Sequence, residues 1–375
     1  MAAASVDVVV IGAGMAGASA AWQLADRGRV VLVEQAPQAG FHASGRSASL
    51  LNETSGHPVV CALASASRAF FESPPEGFVD HPLLHDRGLL WIGRAGDEAA
   101  LDELAARARV ITPTVRRLDA AATARMLPAF RAEAIAAGSV HEPDAREIDT
   151  AAMLAGYVAG LRARGGVLHT STEAIELSDD QGEWTVVATD RTFRTPVVVN
   201  AAGAWGDVVA ERAGVAPIGL EPRRRTASIV PVTDDVAGWP LVMDIAGRFY
   251  IEPDSGGLLL SPADETPSEP CDARPEELDV AIALDQLDQA TTLGVRSVRH
   301  SWAGLRTFSR DGAPVLGEDP DAPGFWWLVG QAGAGIKTAP AMAAALAALL
   351  SGEALDPRLV ELSVDADTLG PARFR

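Results

Sequence analysis

The chain opens on a short apolar run, and the positions after it repeat in a strand–turn–helix–strand order. Residues 7–11 form a nearly continuous apolar stretch, which is typical of a strand buried on both faces of a parallel sheet. Glycines follow at once, residues 15–26 have the pattern of a helix, and residues 30–33 form a second apolar strand that ends at Glu34. We therefore predict a complete βαβ unit in this segment.

Helical and strand-like patterns continue along the rest of the chain. Predicted helices cover residues 58–71, 98–109, 119–127, 149–164, 276–291 and 338–350, and predicted strands cover residues 89–93, 167–169, 184–189, 196–200 and 326–329. Residues 223–261 alternate strand-like segments with turns, which is typical of an antiparallel sheet. Because strand, glycine turn and helix recur at both ends, we predict a cofactor domain built from separated pieces around an inserted substrate domain.

Gly12, Gly14 and Gly17 form a G-x-G-x-x-G motif between the first strand and the first helix. In dinucleotide-binding folds the first glycine permits a tight turn, the second lets the pyrophosphate approach the backbone, and the third lets the helix pack on the strand. Glu34 follows Gly17 by 17 residues. This is close to the spacing of about 20 for a carboxylate that binds a ribose hydroxyl, and such a carboxylate would repel the 2′-phosphate of NADP. The position of the motif at the N-terminus, with glycine-rich segments at the far end, favours FAD over NAD.

Composition excludes several classes of function. The chain has 375 residues, more than one ordinary core requires, and a net charge of −19, which is unsuited to binding nucleic acid. We expect no stable membrane insertion, since the apolar runs are shorter than a bilayer span. Cys61 and Cys271 are too few and too far apart for a disulfide framework or a metal cluster, and we predict no metal. No secretory pattern precedes the first strand, so a cytoplasmic location is expected.

Four further segments carry a family resemblance. Residues 40–47, 200–207, 302–317 and 331–340 read GFHASGRS, NAAGAWGD, WAGLRTFSRDGAPVLG and QAGAGIKTAP. Together with the glycine motif, the sequence resembles the D-amino-acid oxidase (DAO) superfamily of FAD-dependent oxidoreductases. Within that superfamily it is most similar to bacterial D-amino-acid dehydrogenases of the D-arginine dehydrogenase type.

The resemblance implies an α/β fold with a Rossmann-like FAD-binding domain of the DAO type and an inserted α+β substrate domain with an antiparallel sheet. We expect residues 1–80, 142–217 and 305–375 to form the FAD-binding domain. Residues 81–141 and 218–304 would form the substrate-binding domain, which covers the isoalloxazine ring.

FAD is the cofactor that the resemblance implies, and it assigns residues to its binding. Residues 44–47 would line the pyrophosphate and the flavin, and residues 201–203 would lie near the adenine. Gly333 and Gly335 would open the last helix, whose N-terminal N–H groups would face flavin N1 and O2, where the reduced ring carries negative charge. The expected cofactor-binding residues are Gly12, Gly14, Met15, Ala16, Gly17, Glu34, Gln35, His42, Ser44, Gly45, Arg46, Ser47, Ala202, Gly203, Gly333, Gly335, Ile336 and Lys337.

His42 bears on how FAD would be held. Some amine-oxidising relatives attach FAD covalently through a histidine in this region. The D-arginine dehydrogenase type carries a histidine here without that bond. The sequence leaves both modes of attachment open.

Three residues are expected in the substrate site from the resemblance. Arg306, inside the WAGLR segment, corresponds to the arginine that binds the substrate carboxylate, for which a planar guanidinium fork is suited. Arg225 and Tyr250 correspond to further contacts with the carboxylate and the lid. The alternatives are a surface or inter-domain position for Arg306, a solvated face for the charged run 223–225, and simple strand packing for Tyr250.

Several positions depart from the arginine-specific relatives. A histidine and a tyrosine on their substrate-covering loop correspond to Leu50 and Ser55, and a carboxylate that holds the cationic side chain corresponds to Leu89. We therefore predict that D-arginine is not the substrate and that the pocket suits an apolar side chain. A glutamine near the flavin corresponds to Lys337, which we include among the catalytic candidates. It would pair with an acidic substrate group, assist reaction with oxygen, or anchor the last helix.

The expected reaction is FAD-dependent oxidative deamination of a D-amino acid, with hydride transfer from Cα to flavin N5. The product would be an imino acid that hydrolyses to a 2-oxo acid. Alternatives on the same fold are an oxidase of N-alkyl or cyclic amino acids, a 2-hydroxy-acid dehydrogenase, and a non-enzymatic flavin-binding subunit. The expected partner is a small molecule with a carboxylate, and oxygen, a quinone or a carrier protein remain possible electron acceptors.

Overall fold

The helices and strands fill most of the chain. The structure is a computed structural model that describes residues 3–254 and 256–375. The strands are β1 (Ala4–Ser5), β2 (Val8–Ile11), β3 (Val30–Val33), β4 (Leu50–Leu51), β5 (Leu84–Asp86), β6 (Leu89–Gly93), β7 (Arg116–Leu118), β8 (Gly138–Glu142), β9 (Arg146–Ile148), β10 (Val167–His169), β11 (Ala174–Asp180), β12 (Glu183–Ala188), β13 (Thr192–Thr195), β14 (Val197–Asn200), β15 (Glu221–Pro231), β16 (Leu241–Asp244), β17 (Tyr250–Asp254), β18 (Gly257–Ser261), β19 (Thr266–Pro267), β20 (His300–Phe308), β21 (Val315–Asp319), β22 (Ala322–Val329) and β23 (Gln331–Ala332). The α-helices are α1 (Met15–Leu24), α2 (Pro58–Glu72), α3 (Glu98–Ile111), α4 (Ala120–Met126), α5 (Thr150–Ala163), α6 (Gly206–Arg212), α7 (Glu277–Ala290), α8 (Gly335–Leu350), α9 (Pro357–Glu361) and α10 (Ala366–Leu369).

A six-stranded sheet forms around the first apolar run, in the order β10-β3-β2-β14-β22-β21. Its pairs are parallel except the edge pair β21–β22. The ends of β2, β14 and β22 lie side by side, because Asn200 pairs with both Ile11 and Trp327. The turns that follow these strands therefore open at one edge of the sheet, where ligands bind in open α/β folds.

Both faces of this sheet are covered by other elements. Apolar residues of α1, α2, α5 and α8 form one core cluster on its first face. The second face is covered by α6 and by a four-stranded sheet in the order β1-β13-β12-β11. Because the strands β2, β3 and β14 are sandwiched between two cores, nearly all of their residues are apolar and buried, as a parallel sheet requires.

A ten-stranded sheet faces the carboxyl edge of the first sheet. Its path is β23-β20-β15-β18-β17-β16-β6-β8-β7, and β19 pairs with β15 beside that path. Its pairs are antiparallel except β16–β6, so the expectation of an antiparallel sheet is correct apart from this one pair among the described strands. Helix α7 packs on the outer face of this sheet.

Most of the predicted elements are present with bounds shifted by a few residues, and β6 and β10 match their predicted bounds. The nine-residue strand β20 was not predicted. A three-stranded sheet, β4-β9-β5, joins segments that we assigned to different domains, and the domain boundaries stay a prediction. Within the described residues no helix is long and apolar enough to cross a membrane.

A glycine just after the first predicted helix, Gly28, favours a left-handed C-cap, but Gly28 has a φ of 163° and follows a 3₁₀ turn over Ala25–Arg27. The expected left-handed cap is therefore wrong. A Cβ at Gly28 would lie 2.7 Å from a carboxylate oxygen of Asp7. The close approach of Asp7, rather than the helix end, is the physical reason for a glycine here.

Candidate active site

A cleft of about 1580 Å³ lies between the carboxyl edge of the six-stranded sheet and the ten-stranded sheet. This volume counts the open solvent within the cleft. The cleft brings together most of the residues that the sequence predicted for cofactor and substrate. The predicted residues that line it are Gly12, Gly14, Met15, Ala16, Glu34, Gln35, His42, Ser44, Arg46, Ser47, Ala202, Gly203, Arg225, Tyr250, Arg306, Gly333, Gly335 and Ile336. Gly17, Gly45 and Lys337 lie outside its lining.

The three motif glycines are places where a side chain does not fit. Gly12 has a φ of 100°, and a Cβ there would lie 2.6 Å from the carbonyl oxygen of Ala201. A Cβ on Gly14 would lie 3.3 Å from the Ser44 hydroxyl, and one on Gly17 would lie 1.8 Å from the carbonyl oxygen of Gly12. Gly17 thus sits behind the turn, where it allows helix and turn to touch, while Gly12 and Gly14 form the wall of the cleft.

The N-terminus of α1 points into the cleft. The Met15 N–H donates to the Ser44 hydroxyl over 2.9 Å, so the 40–47 segment reaches across to the helix end. Unpaired N–H groups at such an end, together with the positive end of the helix dipole, attract phosphate.

Glu34 ends β3 beside the same turn. Its carboxylate accepts hydrogen bonds from the Ala13 N–H at 2.7 Å and from the Ala36 N–H at 2.8 Å. Burial raises the pKa of this carboxyl, and the N–H groups of Ala36 and Ala13 oppose that rise. The two donors fix the carboxylate at the lining of the cleft, in the position expected for a ribose contact.

His42 lies against two aromatic rings. Its ring centroid is 4.7 Å from that of Trp205 and 5.1 Å from that of Phe41. Burial, and then the charge of Arg46, lower its pKa, so the ring is neutral at pH 7. Its Nδ1 is buried and has no hydrogen-bond partner within the described part of the chain. A buried imidazole nitrogen without a partner fits a ligand group at this wall.

Arg46 connects the two sheets. Its Nη1 donates to the carbonyl oxygens of Ala273 and Ala303 at 3.0 and 2.9 Å, and its Nη2 contacts Asp272 at 2.5 Å. These partners occupy most of its donors, so the contribution of Arg46 to the cleft is mainly to hold the 40–47 segment in place. Its direct contact with a cofactor stays a prediction.

Arg306 enters the cleft from β20 without a protein partner. Protein surrounds it deeply, its remaining accessible surface faces the cleft, and no hydrogen bond or ion pair within the described residues reaches its guanidinium group. Burial, and then the like charge of Arg225, lower its pKa. A Cβ on Gly333 would lie 2.9 Å from the guanidinium carbon, so Arg306 packs directly on the loop that precedes α8. An uncompensated buried cation is costly, which favours an anionic ligand at this position.

Arg225 and Tyr250 flank Arg306 in the ten-stranded sheet. The Arg225 Nε donates to the carbonyl oxygen of Asp264 at 2.7 Å, and its Nη2 pairs with Glu265 at 3.0 Å. Its guanidinium carbon lies 5.9 Å from the centroid of the Tyr250 ring. The Tyr250 hydroxyl has no hydrogen-bond partner in the described part of the chain, and the residue lines the cleft. The three predicted substrate residues therefore meet at one wall.

Lys337 lies behind this wall. Its ammonium group is within 3.0–3.1 Å of four oxygens, two from Asn52 and two from Ser55. Burial lowers its pKa, and acidic groups nearby, first Cys61 and then Glu142, oppose that effect. This geometry favours the anchoring alternative, in which Lys337 ties α8 to the segment after β4. A role in catalysis or cofactor binding stays a prediction.

The sequence did not single out several residues of the lining. Thr307, Gln331 and Trp205 line the cleft and lie inside the segments that carry the family resemblance, but the sequence predicted no role for them. Thr172 reaches the cleft because its N–H bonds to the carbonyl oxygen of Glu34 at 2.8 Å. This contact is made through backbone atoms, so its side chains carry no signal for it. The only indication in the sequence is Glu34, the acidic residue that ends β3.

These features fit FAD. The glycine wall, the exposed end of α1 and the fixed Glu34 suit the phosphates and ribose of a dinucleotide. The partnerless His42 nitrogen and the start of α8 lie further along the same cleft, where a ring system would extend. Among the described residues no cluster of His, Cys, Asp or Glu could hold a metal ion.

Comparisons with known proteins agree with this geometry. The family model DAO, described as FAD dependent oxidoreductase, matches residues 7–349. Glycine oxidase of Geobacillus kaustophilus is 27% identical over 357 residues, which cover 89% of this chain and 90% of that protein. Glycine oxidase of Pseudomonas aeruginosa is 29% identical over 367 residues, which cover 92% and 94%. The crystal structure of the G. kaustophilus enzyme superposes with a TM-score of 0.83 at 26% identity, over 96% of this chain and 99% of that one. The finer likeness to D-arginine dehydrogenases stays a prediction.

Proposed function

The chain belongs to the DAO family of FAD-dependent oxidoreductases, and we propose that it oxidatively deaminates a small neutral amino acid. The substrate is glycine or a D-amino acid with a small or apolar side chain. The observation that carries this proposal is Arg306, a half-buried residue that lines the cleft and whose guanidinium group has no protein partner among the described residues. A substrate carboxylate supplies the missing charge, because guanidinium and carboxylate form two parallel hydrogen bonds.

The charge of the whole chain makes a local cation necessary. A net charge of −19 repels anions, so a carboxylate enters and stays only where local cations outweigh that field. Arg306 and Arg225 both line the cleft, and the Tyr250 hydroxyl, which has no partner among the described residues, lies beside them. Arg225 is paired with Glu265, so Arg306 is the cation that fixes the carboxylate end of the substrate.

Positioning is the main contribution of the protein. Bound FAD supplies the two-electron acceptor. Arg306, packed on Gly333, holds the carboxylate and so fixes the direction in which Cα presents its hydrogen. Glu34, Ser44 and the glycine turn, which the contacts described above fix in place, would hold the far end of the cofactor. The neutral amine form of the substrate is the reactive one, because its nitrogen lone pair assists loss of the hydride.

Apolar residues at two positions support an uncharged side chain on the substrate. Leu50 and Leu89, at the positions that depart from the arginine-specific relatives, belong to one buried apolar cluster with Ala145 and Leu241, which lies outside the lining of the cleft. These positions therefore provide no carboxylate that could pair with a cationic side chain. Two relatives that are similar over most of their length are glycine oxidases, and glycine has no side chain.

The test is anaerobic reduction of the bound flavin by single substrates. Glycine, D-alanine and D-leucine are expected to bleach the flavin absorbance, with D-arginine at least tenfold slower than the best of them. Sarcosine distinguishes a primary from a secondary amine. Faster bleaching by D-arginine would contradict the apolar pocket, and bleaching by sarcosine alone would assign the enzyme to N-alkyl amino acids.

A further inference from the structure

The balance of charged side chains around Arg306 affects which substrates can bind. In β15 and β20, side chains alternate between the two faces of the ten-stranded sheet. Arg223 pairs with Arg306 and Arg225 pairs with Gly304, so these three arginines lie on the face toward the cleft. Arg224 lies on the other face, where it pairs with Glu276 and with Asp279.

Two carboxylates compensate the three arginines of the cleft face. Glu221 contacts Arg223 at 2.8 Å. Glu265 contacts both Arg223 and Arg225, each at 3.0 Å. Asp264 belongs to the other face, since its carboxylate accepts from the N–H and hydroxyl of Thr226. Among the described residues, the three arginines of the cleft face therefore keep one positive charge without a paired carboxylate, and it is located on Arg306.

Glu265 already pairs with Arg225, the cation that a second anionic group on the substrate would use. Arg225 lines the cleft, and its Nε donates to the Asp264 carbonyl oxygen and its Nη2 to Glu265, so only its Nη1 has no protein partner among the described residues. A second carboxylate on the substrate would have to displace Glu265 from Arg225 or lie next to it. Displacement costs the existing ion pair, and adjacency places two like charges together.

We infer that Glu265 is a specificity-determining residue that neutralises Arg225 and thereby restricts the site to substrates with one carboxylate. This inference rests on the proposed function and adds a limit on the substrate class. The neutral amino monocarboxylates fit the single free guanidinium group, whereas acidic amino acids and N-carboxymethyl amino acids are rejected at Arg225.

Glu221 provides a matched control. It is 47% exposed and Glu265 is 43% exposed, and both face the cleft side of the sheet. The substitutions Glu265→Gln and Glu221→Gln therefore change the net charge equally at similar exposure. Only Glu265→Gln removes the carboxylate partner of Arg225.

The experiment measures binding of non-oxidisable acids to the flavin-loaded enzyme from changes in its absorbance spectrum. Butyrate and succinate share a four-carbon chain and differ in the second carboxylate. In Glu265→Gln the ratio of the succinate to the butyrate dissociation constant is expected to fall at least fivefold from its wild-type value. In Glu221→Gln the ratio is expected to stay within twofold.

Each outcome has a distinct meaning. A ratio unchanged in Glu265→Gln, with butyrate still bound, overturns the role of Glu265 and leaves the proposed function standing. An equal change in both variants also overturns it, because general electrostatics would then explain the effect. If butyrate fails to bind the wild type, the carboxylate site at Arg306 is wrong, and the proposed function fails with it.

Discussion

Arg306 shows how a single residue can be adapted to a ligand rather than to the fold. The WAGLR segment predicted its role by resemblance, but the sequence could not show that its guanidinium group lacks a partner within residues 3–254 and 256–375. Partners of a long side chain come from distant segments, here the 331–334 loop and β15. The missing partner is the structural observation that gives the prediction its physical basis.

Substitution of Arg306 should separate activity from stability. We expect Arg306→Met to lower kcat/KM by roughly 10²–10³-fold, since loss of a buried charged contact costs about 3–4 kcal/mol. Removal of an unpaired buried charge should leave Tm unchanged or raise it. Arg306→Lys keeps the charge but loses the planar fork, so its activity should be intermediate. A large fall in Tm together with the loss of activity would indicate a structural role instead.

Glu252 is a buried residue for which the sequence predicted no role. It lies on β17 two positions after Tyr250, and its Oε2 is buried without a partner among the described residues. Burial, and then the nearby charge of Glu147, raise its pKa to about 8. The carboxyl is therefore protonated at pH 7 and does not provide a negative charge for a cationic substrate.

The pKa of Glu252 predicts a pH dependence of stability. The unfolded chain ionises this group near its ordinary pKa of 4.5, whereas the folded chain does so near 8. Its contribution to stability is thus fully present below pH 4.5 and is lost as pH rises to about 8, by at most roughly 5 kcal/mol. Denaturant unfolding between pH 5 and 8 should show a decline that Glu252→Gln reduces. Glu221→Gln should leave the decline as in the wild type.

At the scale of elements, apolar periodicity predicted the βαβ unit and most helices, because buried faces repeat with the period of the element. It did not predict β20, His300–Phe308, in which apolar residues do not alternate regularly with polar and glycine residues. This strand pairs with β15 over nine positions, and that pairing rather than local sequence determines its conformation. The partner strand is more than 70 residues away, so the signal was not local.

The packing of α1 against the glycine turn can be tested by a substitution in the glycine motif. Gly17→Ala would place a methyl group 1.8 Å from the carbonyl oxygen of Gly12, so the turn or α1 must move. We expect a loss of about 1–3 kcal/mol in stability and a lower ratio of flavin to protein absorbance. Gly238→Ala is the control, because no atom lies within 4 Å of its Cβ and its φ is not left-handed. Equal flavin retention in both variants would contradict the packing role of Gly17.

The whole molecule is held together by buried polar contacts between distant segments. Lys337 on α8 binds Asn52 and Ser55, and the neighbouring Glu53 N–H donates to Glu142 on β8 at 2.9 Å. Arg68 on α2 pairs with the Glu53 carboxylate at 2.9 Å. The sequence identified Lys337 as unusual but could not predict this network, since it joins four segments that lie far apart in the chain.

Substitution of Lys337 distinguishes an anchoring role from a catalytic role. As an anchor, Lys337→Met should destabilise the protein by about 2 kcal/mol or more, because four oxygens lose their donor. The rate of anaerobic flavin reduction by the best substrate should fall less than tenfold. Arg296→Met, at an exposed ion pair with Asp288, is the control and should shift Tm little. A hundredfold slower flavin reduction with unchanged Tm would instead support a catalytic role.

The most direct measurement compares D-alanine with D-lactate as anaerobic reductants of the bound flavin. The two molecules share a three-carbon skeleton and a carboxylate, and they differ only in the amino or hydroxyl group at Cα. If the enzyme oxidises amino acids held at Arg306, D-alanine bleaches the flavin and D-lactate only binds, and Arg306→Met abolishes both effects. Bleaching by D-lactate but not by D-alanine would contradict the proposed function and assign the site to 2-hydroxy acids.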